Sequence, residues 1–358
     1  VAGVLQRLLT RSGILPVLRR QWRDDQAAAT AKLEKRFDKQ LSSLTEQVER
    51  LSAIAVQIQA ATGAADTAER LASVDRDVRM LRATLALDIQ QQQNGGRDLA
   101  SHLDPARVRA HVERSIDSAP LSTDPSVHVV VNDLLPADTY QALLDGIPPT
   151  MFFTQRDNVK QNLKLKQLDV APERTLRAFD FIENDLIPNM MVPALMRRLA
   201  PHIRDFYVRE YGAQQGPTLA AIPHVASGGR MMLRRPGYHL DPHLDPKRVV
   251  FTTLIYFARP GDAEAWGTGF YRMNGTPTID RTNTFYPGTQ GIRCDLVKMV
   301  PFRANSAVSF LNWGGAHGAD IPKDAPRDLE RYSFQFYVSP EPAALAAITG
   351  ETDAAVME

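Results

Sequence analysis

The chemistry in this sequence concentrates in one stretch, Tyr238-His239-Leu240-Asp241-Pro242-His243-Leu244-Asp245-Pro246-Lys247. It holds two overlapping His-x-Asp pairs. On an extended strand, residues two apart project from the same face, so His243 and Asp245 can grip one ion. Imidazole plus carboxylate, with a second imidazole and no thiolate, suits ferrous iron with open coordination positions. A His-x-Asp pair standing alone is an everyday sequence and far more often marks a polar turn between strands.

Three later features change that weighting. The β-like run Val249 to Phe257 begins just after the pair. His317 follows the strand-like Ser306-Ala307-Val308-Ser309-Phe310-Leu311. Arg331-Tyr332-Ser333 then opens another β run through Val338. In a sandwich of strands these places can converge on one cavity, with His317 as a third ligand. Arg331 offers a bidentate fork for a dicarboxylic co-substrate, and Ser333 adds one hydrogen bond.

Such a site needs a β-rich scaffold. From Arg230 onward the texture is one of short β runs separated by Gly, Pro and Asn: 230–240, 249–258, 268–273, 283–287, 292–301, 306–311 and 331–338. Val127 to Val131 reads as an earlier strand, and helices are expected at 105–117, 137–145, 173–186 and 190–211. With no βαβ alternation, the fold class is α+β, an antiparallel sandwich or jelly roll with helices on its flank.

The first hundred residues are different. Phe37, Leu41, Leu44, Val48, Leu51, Ala55 and Ile58 follow the steps of a coiled-coil seam, and Leu71 to Leu85 resume the pattern after Gly63. A polar run, Gln90 to Gly96, closes it. We expect a helical region at 1–93 that self-associates into a homo-oligomer, a back-folded hairpin being the other arrangement. A linker with a short helix at 94–126, a catalytic domain at 127–340 and a tail at 341–358 complete the division. Residues 1–23 carry five arginines and no acid among apolar residues. That pattern suits an anionic membrane surface or a short helix packed on the protein, and lacks the order of a secretory signal.

Composition sets the outer bounds. Lys plus Arg (42) against Asp plus Glu (41) leaves +1, so no overall field draws nucleic acid. Cys294, the single cysteine, excludes an internal disulfide framework and any Cys-rich metal site, and reads as a core thiol. No apolar run approaches the ~20 residues of a membrane-spanning helix. The expected location is cytoplasmic, peripheral to a membrane if the basic segment attaches there.

The phrases "GYHLDPHLDPKRVVFTTLIYF", "GTGFYR", "VPFRANSAVSFLNWGGAHG" and "RYSFQFYV" resemble, in this order, the Fe(II)- and 2-oxoglutarate-dependent dioxygenases, above all the prolyl-hydroxylase-like superfamily. The resemblance covers roughly 127–340 and implies a double-stranded β-helix with iron near its open end. It implies Fe(II) as cofactor held by His243, Asp245 and His317, and 2-oxoglutarate as co-substrate. Arg331, Ser333 and an inward Tyr256 would hold the far carboxylate. Hydroxylation with release of succinate and carbon dioxide is the implied outcome.

The doubled motif leaves His239/Asp241 as a second ligand pair. His243/Asp245 is preferred because Pro242 precedes it, Lys247 and Thr252 follow it, and Pro242 would distort a strand directly after Asp241. The substrate is a small molecule, a glycan or a protein side chain. Lys160, Lys164 and Lys166 form a basic stretch that reads as a solvated face rather than as a site for an acidic or phosphorylated ligand, while Arg230, Arg234 and Arg235 lie nearer the cavity mouth and are better candidates for one. Two rival readings are a non-catalytic jelly-roll binding module on an oligomerising stalk and a cupin-like metalloenzyme without 2-oxoglutarate.

Overall fold

The computed structural model describes residues 99–154, 157–164, 171–276 and 282–350, with scattered helical positions between 76 and 88. The chain divides into two compact units, Val1–Gly95 and Gly96–Glu358. The expected seam at 37–58, its self-association, the basic segment 1–23 and Lys166 all lie outside the described residues.

In the second unit, α1 (Leu99–His102) and α2 (Pro105–Ser118) precede the sheets. Helix α2 starts where the sequence says it should. Asp104 caps it by accepting from the Ala106 amide at 3.0 Å, and Pro105 fits the first turn, where no N–H is needed. Its Val108, Val112 and Ile116 recur every four residues and are buried.

Among the described residues, eleven strands form two antiparallel sheets. The larger runs β1 (Leu121–Ser122), β2 (His128–Asn132), β9 (Ser306–Leu311), β6 (Phe251–Tyr256), β11 (Arg331–Pro340), β4 (His224–Arg234) and β3 (Lys160–Leu163) in spatial order. The smaller runs β5 (His239–His243), β10 (Ala316–Asp320), β7 (Thr268–Met273) and β8 (Cys294–Val300). One apolar cluster joins the sheets: Met232, Leu254, Tyr256, Val308 and Phe310 of the larger meet Phe270 and Val300 of the smaller. Strand β6 is buried along its whole length, which explains its near-continuous run of apolar residues and threonines.

Helix α3 (Ala137–Asp145) has the expected bounds. Helix α4 (Glu173–Asp180) passes into a wider π-helical stretch, Phe181–Met191, and then α5 (Val192–Ala221). The expected gap between helices at 186–190 is therefore absent. Pro188 lies inside the stretch that replaces it, where a wider turn tolerates a residue without an N–H. Phe179 of α4 packs edge-on against Phe334 of β11, so these helices cover the larger sheet.

Four expectations need correction. The run 230–240 is two strands broken at Arg235–Tyr238, where Gly237 takes φ 89°. The run 283–287 is no strand, only a single bridge between Phe285 and Leu244. The tail contains a further helix, α6 (Pro342–Thr349), capped by the Glu341 side chain on the Ala344 amide. Cys294 opens β8 half-exposed rather than in the core.

Buried His128 and half-buried His224 contribute to the pH dependence of the fold. Burial pushes His128 down, with Lys298 adding repulsion, and burial does the same to His224. Exposed His239 shifts upward, through hydrogen bonds to Asp320 and Asp241, and opposes them. A histidine depressed in the native state is fully stabilising above its unfolded value. As pH falls below about 6.5 the unfolded chain takes up protons first, and stability is lost. Tm of the metal-free protein is expected to drop between about pH 7 and about pH 5.5; a level Tm over that interval would contradict this.

Candidate metal centre

Strands β5 and β10 pair antiparallel with His243 directly opposite His317, which sets the two imidazoles side by side at a centroid distance of 4.1 Å. Strand β5 lies at the edge of its sheet and runs through Pro242 without breaking, because an edge strand tolerates a missing donor. The register slips between His317 and Ala319. Gly318 sits at that slip, where an added Cβ would meet the Leu240 carbonyl oxygen at 2.7 Å.

Asp245 lies just beyond β5 in a loop fixed from two sides. The Asn312 side chain accepts from the Asp245 amide at 2.8 Å and donates to the Asp245 and Pro246 carbonyls at 2.5 and 3.0 Å. The Thr252 hydroxyl of β6 donates to Asp245 Oδ2 at 2.5 Å. Asp245 Oδ1 is 3.9 Å from His243 Nε2, and Oδ2 is 3.7 Å from His317 Nε2. His243 Nδ1 lies 2.9 Å from the Asp241 carbonyl oxygen. Donation there assigns the proton to Nδ1 and leaves the Nε2 lone pair toward the carboxylate.

One donor atom from each of His243, Asp245 and His317 lies within 4.8 Å of the others, and all three residues are buried. Burial, then the neighbouring His243, holds His317 well below the usual imidazole value. It is therefore neutral, the form that binds metal. This group can hold a metal ion. Its two nitrogens and one oxygen fit ferrous iron with positions left for other ligands. His239 and Asp241 are exposed and engage each other at 3.0 Å, with His239 also 2.8 Å from Asp320. The structure thus separates the two halves of the doubled motif, one inside and one outside.

The three donors face a cavity of 280 Å³ that is also lined by Arg331 and Thr268. Arg331, 3% exposed, lies over the rings of Tyr256 and Phe302 and donates to the Gly267 carbonyl at 3.3 Å. The Tyr256 hydroxyl is 2.6 Å from Thr268 Oγ1, and its pKa is raised by burial. Ser333 stands opposite Tyr256 in the β11–β6 register. Neither Tyr256 nor Ser333 is part of the cavity lining. Arg331 Nε and Ser333 Oγ are both buried without a hydrogen-bond partner. Orphaned polar atoms of this kind are costly unless an acceptor arrives, and a dicarboxylate is such an acceptor.

Sequence reasoning missed Asn312, whose amide ties Asp245 to the end of β9. The only signal was an Asn between a buried strand and a Gly-Gly turn. Strand β10 was also missed, although it carries His317.

No family model matches the sequence, and no curated protein matches it. Solved structures do. The non-heme alpha ketoglutarate dependent epimerase SnoN from nogalamycin biosynthesis is 16% identical, with 66% of this chain and 82% of that chain covered and a TM-score of 0.33. A Pseudomonas putida prolyl-4-hydroxylase is 15% identical, with 65% and 98% covered and a TM-score of 0.34. HygX from Streptomyces hygroscopicus, with nickel, 2-oxoglutarate and hygromycin B bound, is 13% identical, with 61% and 84% covered and a TM-score of 0.31.

Proposed function

We propose that the chain is an Fe(II)- and 2-oxoglutarate-dependent dioxygenase on a double-stranded β-helix, hydroxylating a C–H bond of a second substrate. The observation that carries this reading is the buried His243–Asp245–His317 group sharing one cavity with Arg331, whose Nε has no partner. Bound iron would activate dioxygen at the expense of 2-oxoglutarate, which leaves as succinate and carbon dioxide, one atom of dioxygen entering succinate and the other the hydroxylated substrate.

The protein's own residues supply position and charge. His243, Asp245 and His317 would hold the metal at the wall of the cavity they line. Thr252 and Asn312 fix the carboxylate and its backbone, so that Asp245 need not reorient when a cation arrives. Arg331 would take the far carboxylate of the keto acid with its fork, and Tyr256, whose ring lies against the guanidinium behind the cavity wall, holds that fork in position. The apolar cluster around Phe302, Phe270 and Phe310 excludes water and strengthens each of these interactions.

The doubled motif gives a sharp test. Fe(II) titrated anaerobically into wild type and His239→Ala should bind one-to-one with affinities within about threefold of each other, since His239 points away from the cavity. A His239→Ala protein that no longer binds iron, beside a His243→Ala protein that does, would overturn the ligand assignment. Thr252→Val should weaken iron about tenfold or more by freeing Asp245.

A further inference from the structure

The cavity holds more positive charge than iron and a keto acid require. Arg331 of β11, Arg234 of β4 and Lys160 of β3 stand directly opposite one another in register across three adjacent strands. Like charges directly opposite on a sheet are destabilising. All three line the cavity, as does Arg230, and among the described residues Asp245 is the only carboxylate that does.

None of these cations is paired with a carboxylate among the described residues. Arg234, 2% exposed, donates to the Gln161 and Leu233 carbonyls at 2.7 and 3.0 Å and to Asn162 Oδ1 at 3.1 Å. Arg230 donates to Gln335 Oε1 at 2.5 Å and to the Tyr337 hydroxyl at 3.0 Å. The Nε atoms of Arg230, Arg234 and Arg331 are all buried without a partner. Burial pulls Arg234 below the usual guanidinium value, Tyr238 opposing the shift and Arg331 and Arg230 adding to it, yet arginine keeps its charge in proteins. A buried charge without a counter-ion is costly.

One carboxylate of 2-oxoglutarate goes to the metal and the other to Arg331, so Arg234, Arg230 and Lys160 are left without a countercharge. We propose that the second substrate is a small anion whose carboxylate or phosphate group is received by Arg234, Arg230 and Lys160. This rests on the dioxygenase reading above. At 280 Å³ the cavity is below the ~300–1,000 Å³ usual for ligand sites, which favours a compact acid over a bulky neutral sugar. Lys160, exposed on the edge strand β3, sits where it draws an anion inward.

The test uses the full chain loaded anaerobically with Fe(II) and 2-oxoglutarate, titrated calorimetrically with methyl phosphate, acetate and neutral acetamide. Wild type should bind one of the two anions saturably and acetamide not at all, the better anion distinguishing phosphate from carboxylate. Lys160→Ala combined with Arg230→Gln should weaken that anion about tenfold or more while 2-oxoglutarate affinity stays within about threefold. Binding unchanged in this variant, or no anion binding by wild type that shows the iron–keto-acid absorption, would overturn the proposal alone. Absence of that absorption from iron-loaded wild type would overturn the dioxygenase reading first, and the proposal with it. Should the double variant not fold, Lys160→Ala alone, at an exposed position, must still weaken the anion measurably.

Discussion

His317→Ala should lose iron by more than the 10- to 100-fold typical of disturbing an outer partner of a metal ligand. His317 supplies one of only three donors, and no other His, Cys, Asp or Glu among the described residues joins their cluster to replace it. The ring is also packed at 4.4 Å from Phe310 and paired across the sheet with Phe270, so its removal leaves a void. Loss of packing costs stability whether or not metal is present. Loss of a ligand removes the extra stability that bound metal confers. The expected result is therefore a variant that folds without metal, with a somewhat lower Tm, and whose Tm no longer rises on adding Fe(II). A retained iron-dependent rise comparable with wild type would remove His317 from the ligand set.

The second large effect belongs to Arg331. Truncating one partner of a buried, hydrogen-bonded charge pair costs about 2–5 kcal/mol, so Arg331→Ala should weaken 2-oxoglutarate by roughly 30-fold or more. Iron affinity should stay near that of wild type, because the guanidinium is held by Gly267 and the Tyr256 and Phe302 rings rather than by a metal ligand. Arg331→Lys keeps the charge but not the planar fork, and an intermediate loss follows. Separate titrations of metal and keto acid check both statements. A variant that loses iron as well would mean that Arg331 supports the metal cluster, not the co-substrate.

The elements with a clear pattern were legible from the sequence. Helix α2 had its cap and proline, and β6, β7 and β9 were runs of β-prone residues bounded by turns. The His-x-Asp pair, His317, Arg331 and Ser333 were named from order and strand context. What distinguishes His243 from His239 is tertiary. Both have the right spacing to an Asp, and only the pairing of β5 with β10 shows which imidazole faces the cavity. Strand β3 was unreadable because an edge strand with an exposed Lys160 and a half-buried Asn162 carries the pattern of a solvated loop. The same residues concealed the cationic row, since Lys160, Arg234 and Arg331 are distant in sequence and neighbours only by register. Asn312 escaped because its role is to bond backbone atoms of a loop far away in the chain.

In the proposed function, iron and 2-oxoglutarate meet in this cavity. The direct measurement is the visible absorption spectrum of the anaerobic protein on adding Fe(II) and then 2-oxoglutarate, with His243→Ala and His239→Ala alongside. A metal-to-keto-acid charge-transfer band is expected in wild type and His239→Ala, and none in His243→Ala. Wild-type protein that binds iron yet shows no such band would contradict the proposed function.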